Sequence, residues 1–169
     1  MDAVRTAIAG LGGRISVASD GSTGTKVEMI LPQVVLATAV ISAQIGDDDF
    51  GVPVEGIAET CRIPRDRIIP IRDGRAFVLR GRTLPLLRLA DLLNLPAAEA
   101  DTGEAKALII NSGGNRVGVE IDGLGQRLDV LLRPMKGLLA GMRGVLGTAL
   151  LGDGRVLLVL DLPSLIEGQ

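Results

Sequence analysis

Few residues in this chain have the type and spacing to do chemistry. Gly21-Ser22-Thr23-Gly24-Thr25, between two alternating runs, could be read as a phosphate cradle or, more simply, as a hairpin turn. The same run is good turn chemistry, because glycine reaches positive φ without steric cost. Asp47-Asp48-Asp49 clusters carboxylates as a hard cation prefers, but the later acidic ligand of an EF-hand is missing, and the run reads as a solvated hairpin tip. Gly152-Asp153-Gly154 reads as a turn. Cys61 stands beside Arg62, whose charge would favour a thiolate, yet no base or second cysteine accompanies it, so it reads as an ordinary packed or half-exposed residue.

Missing residue types narrow the chemistry further. Without histidine there is no Ser-His-Asp triad, no histidine metal centre and no phosphoaccepting histidine. A single cysteine excludes an intrachain disulfide and a cysteine zinc site. No catalytic residue and no metal ligand set is therefore assigned. The 18 Lys+Arg against 20 Asp+Glu are interspersed and leave no basic face for a phosphate backbone. With two Phe, no Tyr and no Trp, nothing is offered for bases to stack on, so nucleic acid is not an expected partner.

A hydrophobic content of 47% over 169 residues implies a folded chain with one medium core or two small ones. The most apolar run, Val34 to Ile45, is too short to span a bilayer and is interrupted by Thr38, Ser42 and Gln44. Asp2 and Arg5 break any signal-peptide pattern. The expectation is a cytoplasmic chain with no direct membrane insertion.

The elements that must position these residues fall into two groups. Val4, Ile8 and Leu11 have helical spacing before Gly12-Gly13, and two alternating runs, Arg14 to Asp20 and Val27 to Leu31, flank the glycine turn. A helix and a hairpin cannot enclose a core, so residues 1–32 read as the end of something larger. Beyond Pro32 come short β-type runs separated by turn signals, with short helices near Leu89 to Leu93 and Leu162 to Ile166. Pro96 to Lys106 is the candidate linker.

A repeat crosses that linker. Arg82 to Leu93 lies over Arg155 to Ile166 without a gap, and Phe50 to Ile57 resembles Val117 to Leu124. The fold class expected is mainly β: two small barrels of about five strands each, over 36–96 and 105–162, with a terminal helix at 162–167. Leu87 and Leu160 are expected to fill the two barrel cores.

Gly21 to Thr25, preceded by Leu11-Gly12-Gly13-Arg14-Ile15, resembles the closing block of the ATP-binding fold shared by histidine kinases, gyrase-type ATPases and Hsp90-type chaperones. Met1 to Arg5 looks like the helix after the glycine-rich lid in kinases of the CheA type. From Pro32 onward the chain is similar to the CheW-like domain, through Phe50-Gly51-Val52-Pro53-Val54, Leu79-Arg80-Gly81, Leu84-Pro85-Leu86 and Leu150-Leu151-Gly152-Asp153-Gly154-Arg155-Val156. The order resembles the C-terminal part of a CheA-type chemotaxis histidine kinase: a remnant of its α/β ATPase fold, then the regulatory domain with its two SH3-like barrels.

That resemblance implies the remaining expectations. Gly21, Gly24 and Thr25 would face ATP, with magnesium, in the parent kinase. The asparagine-bearing helix and the lid would precede Met1, so no cofactor is expected on this fragment. Partners would be the CheW adaptor, the cytoplasmic tip of chemoreceptors and the parent kinase domains, placing the protein at membrane receptor arrays through those partners. CheW-like domains resemble one another in carrying an acidic residue and an arginine on neighbouring strands, here Glu59 and Arg80, which would face each other near a partner-binding surface or form an ordinary exposed ion pair. Met135 to Met142 is either core or a further contact surface. The alternative reading is a free-standing CheW-type adaptor, which would lack residues 1–32.

Overall fold

The computed structural model describes residues 4–6, 8, 14–20, 24–30, 36–72, 74–96, 103–135 and 142–168. They belong to two units, Met1–Val35 and Leu36–Gln169. In the first, residues 4–6 and 8 are helical, and β1 (Arg14–Asp20) pairs antiparallel with β2 (Gly24–Ile30), Val17 facing Val27. Every residue of β2 is exposed. The helix and hairpin are those the alternation predicts. Gly12, Gly13, Gly21 and the Pro32 to Val35 junction lie outside the described residues.

In the second unit the chain forms β3 (Leu36–Ile45), β4 (Asp48–Pro53), β5 (Ile57–Pro64), β6 (Ile69–Ile71), β7 (Gly74–Leu79) and β8 (Arg82–Arg88). It continues through β9 (Glu104–Ser112), β10 (Asn115–Ile121), β11 (Gly123–Arg133), β12 (Val145–Leu150) and β13 (Val156–Leu160). Short helices, Leu89–Leu92 and Leu162–Ile166, follow β8 and β13. Single 3-10 turns, Val54–Gly56 and Arg65–Arg67, flank β5. The turn signals act as read: Gly113 and Gly114, both with positive φ, close the β9–β10 hairpin as a two-residue turn requires.

Strands β11-β12-β13-β4-β3 form a closed barrel, and β5-β9-β10-β8-β7-β6 form a six-stranded sheet. Four strand spacings would hold β5 and β7 about 19 Å apart if that sheet were flat. Instead Ile63 of β5 packs in one cluster with Phe77 of β7, so the sheet curls around its own core.

This order corrects the expected subdomain boundaries. The sheet is one continuous stretch, from β5 to β10, inserted between the β3–β4 and β11–β13 parts of the barrel. Neither 36–96 nor 105–162 is a barrel by itself. The polar stretch after Pro96 falls between β8 and β9 of the same sheet, and the chain instead crosses between sheet and barrel at Val54–Gly56 and at Asp122. The repeat is nevertheless real, and its equivalent strands make equivalent parallel ladders. Gly118 of β10 pairs with Leu86 of β8, and Gly51 of β4 pairs with Val159 of β13. Both glycines admit close packing: a Cβ on Gly118 would stand 2.7 Å from Phe77 Cε1, and one on Gly51 3.0 Å from Leu157 Cδ2.

Alternation along the repeated strands sorts their side chains between three cores. Leu84 and Leu86 fill the curled sheet, and Leu157 and Val159 fill the barrel. Leu160 points the other way, fully buried in a core that joins barrel, sheet and both helices, and Leu87 is half-buried against that same core. The expectation that Leu87 and Leu160 fill the two barrels is thus replaced: their equivalence holds, but they occupy the face between the layers.

Candidate partner-binding site around Glu59 and Arg80

Glu59 lies on β5, just after a register shift between Ile57 and Glu59 in its pairing with β9. Arg80 and Gly81 form the two-residue turn between β7 and β8, closed by Leu79 opposite Arg82. Both have positive φ, 48° and 77°, as a primed hairpin turn demands. Arginine is a poor residue for that conformation, because its Cβ crowds the following carbonyl, so the turn stores strain at this point.

The strained turn carries Arg80 across the mouth of the curled sheet. Its Nη2 lies 2.8 Å from Glu59 Oε2, and Arg116 Nη1, at the start of β10, lies 3.5 Å from Oε1. Sequence reasoning brought Glu59 and Arg80 together, but not by the route expected. β5 and β7 are not neighbours in the ladder order, and the pair instead spans the gap that the curl closes. Glu59 is largely covered, at 21% side-chain exposure, whereas Arg80 is 77% exposed. A shallow cavity of about 250 Å³ lies among Glu59, Leu79, Arg80, Arg82, Leu84 and Arg116. A larger one, of about 860 Å³, shares Arg82, Leu84 and Arg116 and adds the amides of Asn111 and Asn115. Three arginines against Glu59 and, in the larger cavity, Glu167 leave this rim with a net positive character suited to acidic and amide groups of a partner.

The other predicted residues fall elsewhere. Gly24 and Thr25 open β2, exposed, with Gly24 at φ +113°. Asp47 sits in the β3–β4 turn while Asp48 and Asp49 already belong to β4. Asp49 is not purely solvated: Ser42 Oγ donates to it at 3.2 Å, and Arg155 Nη1 lies 3.5 Å away. In the Gly152–Gly154 turn, Asp153 accepts hydrogen bonds from the Arg155 backbone N–H at 3.0 Å and from Nε at 2.7 Å. Those bonds hold its carboxyl below the ordinary aspartate value. The Cys61 thiol is pushed up by burial, and further by the charge of Glu59, which makes it less reactive than a free cysteine. Met142 and Val145 are described, respectively exposed and packed on the shared core, whereas residues 136–141, with Leu138 and Leu139, lie outside the described residues.

Residues 39–169 match the CheW-like domain. The chain belongs to the CheW-like domain family. Its relatives include the chemotaxis protein CheA of Halobacterium salinarum, 32% identical over 166 residues, 98% of this chain and 24% of that protein. The sensor histidine kinase CheAY of Helicobacter pylori is 27% identical over 168 residues, 99% of this chain and 21% of the relative. The gliding motility regulatory protein of Myxococcus xanthus is 28% identical, over 98% of this chain and 21% of its own length. The chain thus spans about a quarter of the length of the curated relatives it matches. Among solved structures, the scaffolding protein TtCheW from Thermoanaerobacter tengcongensis shares the fold, with a TM-score of 0.64 and 15% identity, covering 78% of this chain and 94% of that one. Among the described residues no helix is long and apolar enough to cross a membrane.

A second charged cluster in the CheW-like domain escaped the sequence reading. Glu120, on β10 between buried Val119 and Ile121, is 5% exposed. Its Oε1 accepts from Arg65 Nη1 at 2.9 Å, its Oε2 accepts from Arg75 Nη1 at 2.6 Å, and Arg88 Nε lies 3.7 Å from Oε2. The four residues come from β10, the turn after β5, β7 and β8. A lone carboxylate inside the apolar run Val117 to Ile121 was the available signal, because a buried charge requires a partner; which arginines supply it depends on strand order.

Proposed function

We propose that this chain is the end of the ATP-binding region and the regulatory domain of a CheA-type chemotaxis histidine kinase. In this reading it couples chemoreceptors and the CheW adaptor to kinase activity. The observation that carries the reading is coverage: CheA relatives match 98–99% of the chain, including the helix and hairpin that precede the CheW-like match at residue 39. A free-standing adaptor accounts for the barrel and sheet but gives that segment no role.

Coupling is then a population shift. Receptor and adaptor bind the kinase-on and kinase-off arrangements with different affinity, and coupled sites of this kind are typically worth ~1–3 kcal/mol. The rim of Glu59, Arg80 and Arg116 is the proposed contact, its strained turn holding an exposed guanidinium toward the partner. Gly24 and Thr25 are proposed to contribute to the ATP and magnesium site of the whole kinase, together with Gly21; the chain alone is expected to show no saturable ATP binding by calorimetry.

The test is co-sedimentation of the chain with chemoreceptor-bearing membranes and the CheW adaptor. Saturable sedimentation that requires both receptor and adaptor supports the reading. A chain that stays in the supernatant with both present contradicts it.

A further inference from the structure

The charges beside Glu120 do not balance. Arg75 and Arg88, which meet that carboxylate, also line a cavity of about 420 Å³ together with Arg72, Leu86, Leu87, Asp91 and Leu92. Among the described residues, crediting the wall with both Glu120 and Asp91 still leaves it one arginine in excess, and Glu120 is shared with Arg65 as well. Arg72 makes no ion pair with a described residue. It stands in the β6–β7 turn at φ +42°, a backbone conformation unfavourable for a non-glycine side chain.

Two of these arginines are also pre-positioned. Arg88 is the register partner of Glu120 across the parallel ladder, and Arg75 donates to Glu120 at 2.6 Å. Each guanidinium has five N–H donors, and a single contact to Glu120 engages only part of that fork. Their side chains are 28% and 29% exposed, and buried Leu86 and Leu92 form part of the wall, which lowers the local dielectric and strengthens charge recognition.

We propose that this cavity is an oxyanion site, in which Arg72, Arg75 and Arg88 hold a carboxylate or phosphate group. Planar guanidinium forks match both oxyanions bidentately. Glu120 orients Arg75 and Arg88 for that ligand. The site is separate from the Glu59 rim and does not depend on the function proposed for that rim.

The test is an NMR titration of the chain with sodium phosphate and, separately, sodium acetate, each against sodium chloride at matched ionic strength. Saturating shifts at the amides of Arg72, Gly74 and Arg88, absent with chloride, are expected. Saturation by phosphate alone assigns a phosphate ligand, and saturation by acetate assigns an acidic side chain. Arg72→Gln removes a cation that makes no ion pair to the described residues, so the fold persists while affinity falls about tenfold, the effect of losing one charge-assisted hydrogen bond. Arg88→Lys keeps the charge beside Glu120 but loses the fork, and it weakens binding in the same direction. Shifts that are linear and equal to those in chloride overturn the proposal, as does wild-type saturation in both variants.

Discussion

Glu120 and Glu59 are built from the same parts: a glutamate on a central or edge strand, held by arginines that arrive from other strands. Glu120 is almost wholly covered and meets three guanidinium groups, whereas Glu59 meets two and leaves its nearest arginine in solvent. The difference teaches that burial, not residue type, separates a charge that holds the sheet from a charge that can be offered to a partner. A desolvated carboxylate that loses its pairing leaves neighbouring charges uncompensated; where the partner guanidinium is exposed, as at Arg80, water replaces the lost contact.

The largest expected effect follows from the buried member. Glu120→Gln leaves three arginines facing one another and lowers unfolding free energy by ~3–5 kcal/mol in urea denaturation. A loss below ~1 kcal/mol would erase the distinction between the two glutamates. Gly118→Ala, two residues earlier on the same strand, separates packing from charge: its new Cβ crowds Phe77 and Leu86, and overpacking of this kind costs ~1–3 kcal/mol. If the variant matches wild type, the β10–β8 ladder is looser than described, and Glu120 would owe less to its position. The open member responds weakly, with Glu59→Gln costing ~0.2–1 kcal/mol, a loss that shrinks as salt is added.

Asp153 and Arg155 extend the comparison to full exposure, where the expected effect is smallest. The carboxyl is held below the ordinary aspartate value by hydrogen bonds from Arg155, so its contribution to stability is present above the unfolded-state value and is lost as pH falls through the folded one. The measurement is an NMR pH titration, in which the Asp153 midpoint falls below that of an unstructured aspartate and moves part of the way back in Arg155→Gln, which removes the side-chain bond and keeps the backbone one. Equal midpoints in the two proteins would remove the pair from the account.

Local pattern carried much of this fold. Alternation and turn residues located the strands, the short helices after Arg88 and Asp161, and the repeat whose glycines prove equivalent in the parallel ladders. The exchange of strands was not legible, because β4 and β10 carry the same Gly-Val pattern and nothing local states which partner each takes. Boundaries were therefore drawn at the most polar loop, and Leu87 and Leu160 were assigned to the wrong face. The same blindness to strand order hid the arginines of Glu120, which are separated from it by 32 to 55 positions. Glu59 and Arg80 were paired through the resemblance to CheW-like domains; the motif Leu79-Arg80-Gly81 marks the turn and the arginine but says nothing of Glu59.

The central claim is that the Glu59 rim is the proposed surface for receptor and adaptor, whereas the buried Glu120 carboxylate holds the sheet and orients its arginines. The most direct measurement is co-sedimentation of Arg80→Ala with chemoreceptor-bearing membranes and the CheW adaptor, alongside its melting temperature. The account predicts loss of saturable sedimentation with a melting temperature close to wild type, since an exposed ion pair holds little stability. Wild-type binding by Arg80→Ala, with the same melting temperature, would contradict it.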